Sequence, residues 1–226
     1  MSYNKKKIIA LIPARAGSKG IKNKNLSFIG NQELVIHSIK SGLRSKYIDK
    51  VVVSTDSKKI ADISKKFGAT VPGLRPRVFS KDNSTTESVI EHFIKNWRED
   101  GDVIILLQPT SPIRKKNTVD KAIIKFFDGK FDSLLSLSKL KNNFIWQIKG
   151  KKTIPKYNIE LRQRRQDIKL KDSIFYENGS IYIFHINQFL NYNNRLFGKI
   201  GSIILDKVES IDIDDSDDLK IVNSII

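Results

Sequence analysis

Two groups of residues in this sequence have types and spacings that can do chemistry together. Near the start, Arg15, Ser18, Lys19, Lys22 and Lys24 surround Gly17 and Gly20. Glycines permit positive φ and close backbone approach, so successive N–H groups can converge on an anion ringed by cationic side chains. Polyphosphate is the guest such a loop suits; a basic surface turn is the plainer reading, and these residues alone leave both open. Near the end, Asp212 and Asp214 stand two apart in an extended segment, which puts both carboxylates on one side, as a hard divalent cation requires. Mg²⁺ takes one or two carboxylates and completes its shell with water and substrate phosphates, so the two groups complement each other. For this pair the metal reading is preferred, whereas Asp215, Asp217 and Asp218 read as favourable charges at a helix N-terminus.

The elements that must position these groups follow from hydrophobic patterning. Residues 8–12 form a continuous apolar run closed by Pro13, as in a strand buried on both faces. Residues 51–53 and 103–107 repeat that pattern, ending in Ser54-Thr-Asp56 and in Gln108-Pro-Thr-Ser111. Between them lie helical spacings over Leu34, Val35, Ile36, Ile39 and Leu43, over Ile60, Ile63 and Phe67, and over Val89, Ile90, Phe93 and Trp97. Ser84 with Glu87 reads as a capping box, and Ser216 as the cap of a last helix. Strands alternating with amphipathic helices predict an α/β fold with a doubly wound, mostly parallel sheet, whose ligands sit beyond the carboxyl ends of the strands. The loops after Ile12, Val53 and Leu107 should therefore gather on one edge. Residues 1–226 are expected to form a single domain, interrupted at about 140–172 by a segment that breaks the rhythm and leaves the core as a hairpin or an arm. Asn178-Gly179 then marks a turn or bulge.

Composition removes several classes. The chain has no cysteine, so it has no disulfide framework and no thiolate chemistry; His37, His92 and His185 are the only histidines, and each falls where packing explains it. No Ser-His-Asp triad is indicated. Trp97 and Trp146 read as core or interface packing. The glycine spacing is neither that of a P-loop nor that of a dinucleotide fold. No apolar run approaches the ~20 residues of a membrane span, and no signal-peptide pattern opens the chain, so a cytoplasmic protein without a membrane partner is expected. A formal charge of +17 raises the different-class reading of a basic nucleic-acid-binding protein. The lysines are scattered and no nucleic-acid-binding motif accompanies them, which argues for a solvated surface and against a specific nucleic-acid partner.

Taken together, the motif at residues 12–26, Val53-Ser-Thr-Asp56, Leu74-Arg-Pro76 with Asp82, Gln108-Pro-Thr-Ser-Pro-Ile-Arg114, Arg165-Gln-Asp167, Glu177-Asn-Gly179 and Ile211-Asp-Ile-Asp214 resemble the acylneuraminate cytidylyltransferases, or CMP-sialic acid synthetases. The resemblance implies a nucleotide-diphospho-sugar transferase-like fold and Mg²⁺-dependent transfer of CMP from CTP to the anomeric hydroxyl of a sialic-acid-like nonulosonic acid, releasing pyrophosphate. It places Arg15, Ser18, Lys19 and Lys24 on the triphosphate and Asp212 and Asp214 on the metal. Asn25, Arg75 and the region around Ser80 and Asp82 fall to cytidine, Gln108 to the sugar and Arg165 to the sugar carboxylate, and Asn178 is among the substrate-binding residues. It also implies a homodimer built through the 140–172 arm. Legionaminic and pseudaminic acid synthetases share most of these motifs and stand as the alternative. One departure is Ile168, where many members carry proline after the Arg-Gln-Asp motif.

Overall fold

A computed structural model describes residues 3, 5–18, 20–97, 101–141, 143–162, 164–169 and 173–226, with backbone only at Arg165. In chain order the elements are β1 (Ile8–Pro13), β2 (Phe28–Ile29), β3 (Gln32–Glu33), α1 (Leu34–Leu43), β4 (Lys50–Ser54), α2 (Lys58–Lys66), α3 (Thr86–Trp97), β5 (Val103–Leu107), α4 (Thr118–Asp128), β6 (Ser133–Lys139), β7 (Trp146–Lys149), β8 (Lys152–Pro155), β9 (Phe175–His185), α5 (Ile186–Tyr192), β10 (Ile200–Leu205) and α6 (Ser216–Ile225). The central sheet has the order β10-β6-β9-β5-β1-β4. β1 runs parallel to both β4 and β5, and β10 parallel to β6, while β9 is antiparallel to β5 and β6.

The continuous apolar runs are explained by helices on both faces. Ile8, Ala10 and Ile12 join one core with Val35 and Ile39 of α1, Ile60 of α2 and Ile123 and Phe126 of α4. Ile9 and Leu11 point the other way, into a second core with Ile90 and Phe93 of α3 and Phe189 of α5. Period-two alternation of side chains across a strand thus feeds two cores from one run. Because β1, β4 and β5 are parallel neighbours, their carboxyl ends share one edge, as the sequence predicts.

Four local expectations change. α6 is capped by Asp215, whose side chain accepts from Asp217 and Asp218 N–H, with Asp218 completing the capping box; Ser216 is already inside the helix. At α3 the cap is Thr85, whose hydroxyl accepts from Ser88 N at 3.1 Å, while Glu87 turns aside to Arg195. Trp146 is exposed on the β7–β8 hairpin, which removes the core alternative for it and leaves the interface one. Residues 211–214 lie outside any strand. The bulge at Asn178-Gly179 is present: Gly179 has φ +75°, and the β6–β9 register shifts between Leu135 and Leu137. The hairpin stands apart as its own two-stranded sheet, with Ile148 77% and Leu161 72% exposed nearby.

Candidate active site

A cleft of about 350 Å³ opens at the carboxyl edge of the sheet, with Arg15, Ser18, Lys24, Asn25, Gln108 and Asp214 among the residues that line it. The basic loop is built by the rest of the chain more than by its own glycines. Neither Gly17 nor Gly20 has positive φ; the left-handed residue is Asn23, φ 57°, which starts the 3-10 turn Lys24–Leu26. Gly20 is needed for close packing, because a Cβ there would lie 2.3 Å from the backbone oxygen of Asp214. Gly17 faces open space. Ala16 N–H donates to Asp56 Oδ1 at 2.8 Å, tying the loop to the end of β4, and Asn25 Nδ2 donates to Arg15 O at 2.8 Å.

The chain's two ends meet through Lys24. Its buried Nζ donates to Ile213 O at 2.6 Å and lies 3.5 Å from Asp214 Oδ1, although Asp214 is 80% exposed. Asp212 turns inward instead, accepting from Ser111 Oγ at 3.3 Å and from Thr110, while Ile213 N–H donates to Thr110 O at 2.8 Å. The pair is therefore split between two environments rather than presented on one strand face. Burial first, and then the charge of Asp214, raise the Asp212 carboxyl above its usual range, against the lowering effect of Lys24 and the two hydroxyls. Asp212 borders a second cavity of about 270 Å³ shared with Glu177, Asn178 and Tyr182.

Arg75 is largely buried but lines the cleft, donating from Nη1 to Ser54 O and Oγ at 3.0 and 3.1 Å and from Nε to Ser80 Oγ at 3.0 Å. Burial pulls its guanidinium down to about 10, with Asp56 opposing and Arg15 adding to the shift. Ser80 thus holds Arg75 and is absent from the cleft lining, and Asp82 holds Arg15 through a 2.8 Å ion pair. Asn178 is buried: its Oδ1 accepts from Ser136 Oγ at 2.5 Å and its Nδ2 donates to Ser138 Oγ at 2.8 Å and Ser210 Oγ at 3.3 Å. That amide holds the bulge through three serines, and Asn178 also borders the second cavity. Lys19 lies outside the described residues, as does the side chain of Arg165, whose backbone sits in a 3-10 turn of the arm.

The sequence reading missed several residues. Phe79, Lys81, Thr85, Thr86 and Val89 line the cleft beside the N-terminus of α3, whose free N–H groups favour an anion. The hydroxyl-rich stretch before that helix is the signal that could have found them. Arg114 is buried with its charge and donates from Nη2 to Gln108 O and Ser180 O, both at 2.8 Å, and from Nη1 to Ser38 Oγ at 3.0 Å. Burial lowers it to about 9, with Asp212 and Glu209 opposing. It fixes the loop that carries Gln108, Thr110 and Ser111. All three histidines are packing residues: His37 bonds Ile29 O at 3.1 Å, His92 sits between Phe79 and Trp97, and His185 lies on Phe126.

Known proteins resemble this chain in sequence and in fold. The chain matches the family described as Cytidylyltransferase over residues 9–210. It is 36% identical over 213 residues to a CMP-N,N'-diacetyllegionaminic acid synthase of Legionella pneumophila, covering 92% of this chain and 91% of that protein. An N-acylneuraminate cytidylyltransferase of Escherichia coli is 30% identical over 224 residues, which is 97% of this chain but 52% of that protein, so the chain spans about half its length. Among solved structures, a CMP:2-keto-3-deoxy-manno-octonic acid synthetase complexed with CTP shares the fold at a TM-score of 0.71 and 16% identity, covering 97% of this chain and 98% of that one. A 4-diphosphocytidyl-2C-methyl-D-erythritol synthase from Anaerococcus prevotii follows at 0.69 and 14% identity, with the same coverage. With a basic loop, a buried guanidinium network and a split aspartate pair converging on one strand edge, and with sequence similarity along nearly the whole chain, this protein is a nucleotidyltransferase and belongs to the cytidylyltransferase family.

Proposed function

We propose that the chain transfers CMP from CTP to the anomeric hydroxyl of a sialic-acid-like nonulosonic acid and releases pyrophosphate. The observation that carries this reading is the convergence of Arg15, Lys24, Gln108 and Asp214 on one cleft, with Asp212 bordering the cavity next to it. The sugar oxygen forms a bond to the α-phosphorus of CTP as the bond from that phosphorus to the oxygen bridging toward the β-phosphate breaks. The electron pair leaves with pyrophosphate, and the hydroxyl proton passes to solvent. Such chemistry depends on positioning and on offsetting charge rather than on a protein nucleophile.

Arg15, Ser18 and the N-terminus of α3 hold phosphate oxygens in this reading, and Lys19, outside the described residues, is assigned to the triphosphate from the motif alone. Lys24 sits between the triphosphate and Asp214. Arg75 and Asn25 support the wall against which cytidine rests, and Gln108 faces the acceptor. The two aspartates fit a divalent cation: a half-buried carboxylate and an exposed one repel each other, and Mg²⁺ bound by both, with phosphate oxygens and water completing its shell, would relieve that repulsion. When bound it neutralises charge on the triphosphate.

The same reading includes a homodimer built through residues 140–172, supported by exposed Ile148 and Leu161, since exposed apolar side chains of this size call for a partner surface. A diacylated sugar such as legionaminic acid is the second reading. The 36% identity to the Legionella synthase over nearly all of both chains favours it. The test is a pyrophosphate-release screen crossing four nucleotides with several nonulosonic acids. Release with CTP and at least one nonulosonic acid is expected; release with another nucleotide, or with none, would overturn the assignment.

A further inference from the structure

Two residues of the cavity that Asp212 borders, Glu177 and Tyr182, belong to a charged cluster with no task in the proposed reaction. Arg195, in the loop after α5, has a side chain only 21% exposed, and its Nη1 lies 2.5 Å from Glu87 Oε1 at the start of α3. Its guanidinium stacks 4.5 Å over the ring of Tyr182, and Nη2 stands 3.9 Å from Glu177 Oε1. The Tyr182 hydroxyl donates to the same Glu177 oxygen. Burial, and then that hydrogen bond, hold the phenol in its protonated form as a fixed donor. Both contacts recorded for Glu177 therefore fall on Oε1, and the carboxylate, 42% exposed, borders the cavity. Arg195 thus ties Glu87, next to the cleft-lining Thr86, to Glu177 and Tyr182 on the wall of the second cavity.

We infer that Glu177, held in place by Tyr182 and Arg195, is a specificity-determining residue that accepts a hydrogen bond from an acylamino N–H of the acceptor sugar. The inference rests on the nonulosonic-acid reading given above. Charge sets the orientation. Glu177 and Asp212 border one cavity, so the sugar's own carboxylate is repelled from it and a hydrogen-bond donor is drawn in. Shape separates an acylamino group from a hydroxyl. Gly179 leaves open space where a Cβ would stand, and Tyr176 borders the same cavity, so an acyl methyl finds both room and an apolar surface. Arg195 and Tyr182 are positioning residues, because each acts through the Glu177 carboxylate.

The test uses Glu177→Ala, Glu177→Gln and Arg195→Gln in the full chain. KM and kcat are measured with CTP and nonulosonic acids bearing one or two acylamino groups, and with an analogue that has hydroxyl in their place. A hydrogen bond to a charged group is worth roughly tenfold or more, so Glu177→Ala should raise KM for acylamino acceptors by at least ~10-fold and leave KM for CTP within about twofold. The preference for acylamino over hydroxyl acceptors should collapse. Glu177→Gln should fall between, and Arg195→Gln should reproduce the acceptor defect with the melting temperature retained. Unchanged acceptor KM, or parallel losses for CTP and every acceptor, would overturn the inference. A wild type that releases no pyrophosphate with any nonulosonic acid would instead overturn the reading beneath it.

Discussion

At the scale of single residues, Asp212 is the proposed metal ligand whose ionised form its surroundings disfavour. Its carboxyl is half-buried and faces the charge of Asp214, so its pKa is raised. For a carboxylate, a raised folded-state value means that the ionised form disfavours folding above that pKa and the penalty is relieved as pH falls. Asp212→Asn should therefore leave the melting temperature unchanged or slightly higher. The same change should lower kcat by at least ~10²-fold, because charge stabilisation of the transferring phosphate is lost. Near-normal turnover at saturating Mg²⁺ would exclude the metal assignment. Proton and metal compete for this carboxylate, so the Mg²⁺ concentration giving half-maximal rate should rise as pH falls toward the raised pKa. A titration of rate against Mg²⁺ at several pH values checks it, and an unshifted midpoint would count against Asp212 as a ligand. Asp82 shows the indirect kind of site residue: Asp82→Asn frees Arg15 and should raise KM for CTP while leaving KM for the sugar in place.

Among the elements, the loop from Arg15 to Lys24 and the segment 211–214 function as one unit, because Gly20 packs on the Asp214 carbonyl and Lys24 binds Ile213 O. Gly20→Ala must push that carbonyl away from a 2.3 Å approach, which displaces both aspartates. Activity should fall by about tenfold or more, with a stability loss near the ~1–3 kcal/mol typical of overpacking, seen by parallel kinetics and thermal melts. The β7–β8 hairpin predicts the opposite balance. Its residues are almost all exposed, so replacing 146–155 with a short Gly-Ser turn should barely change the melting temperature but should turn the proposed homodimer into a monomer, as read by light scattering. A variant that stays dimeric would remove the arm from the assembly. The strands that were legible from sequence are those buried on both faces. β6 and β10 were not recognised, and β6 shows why: Ser133, Ser136 and Ser138 are buried, so polarity hides a central strand. Their hydroxyls are satisfied by Phe197 O, Asn178 and Ser210, partners that pattern alone cannot supply.

For the molecule as a whole, the site is assembled from segments separated by most of the chain, which limits what local pattern can reveal. Residue types and spacing exposed the basic loop and the acidic pair. They could not show that Asp212 leans on Ser111, or that Arg114, the last residue of the motif that starts at Gln108, is buried and holds Gln108, Ser180 and Ser38. The charge of +17 shapes encounter with anionic substrates more than it names a partner, and family membership sets aside the nucleic-acid reading it raised. Because the loop after β1, the turn before α3, the loop after β5 and the 212–214 segment meet at one cleft, CTP with Mg²⁺ should bind across all four in the folded state and at none when unfolded. A ligand at a hundred times its Kd adds about 2.7 kcal/mol of stability. For a domain of this size each kcal/mol raises the melting temperature by roughly 2–4 °C. Thermal melts should therefore rise by about 5–10 °C with CTP and Mg²⁺ together. CTP alone should give less, and Asp212→Asn should abolish the Mg²⁺-dependent part. Equal shifts with GTP, or a CTP shift indifferent to Mg²⁺ in the wild type, would break the link between the nucleotide loop and the aspartates near the other end of the chain.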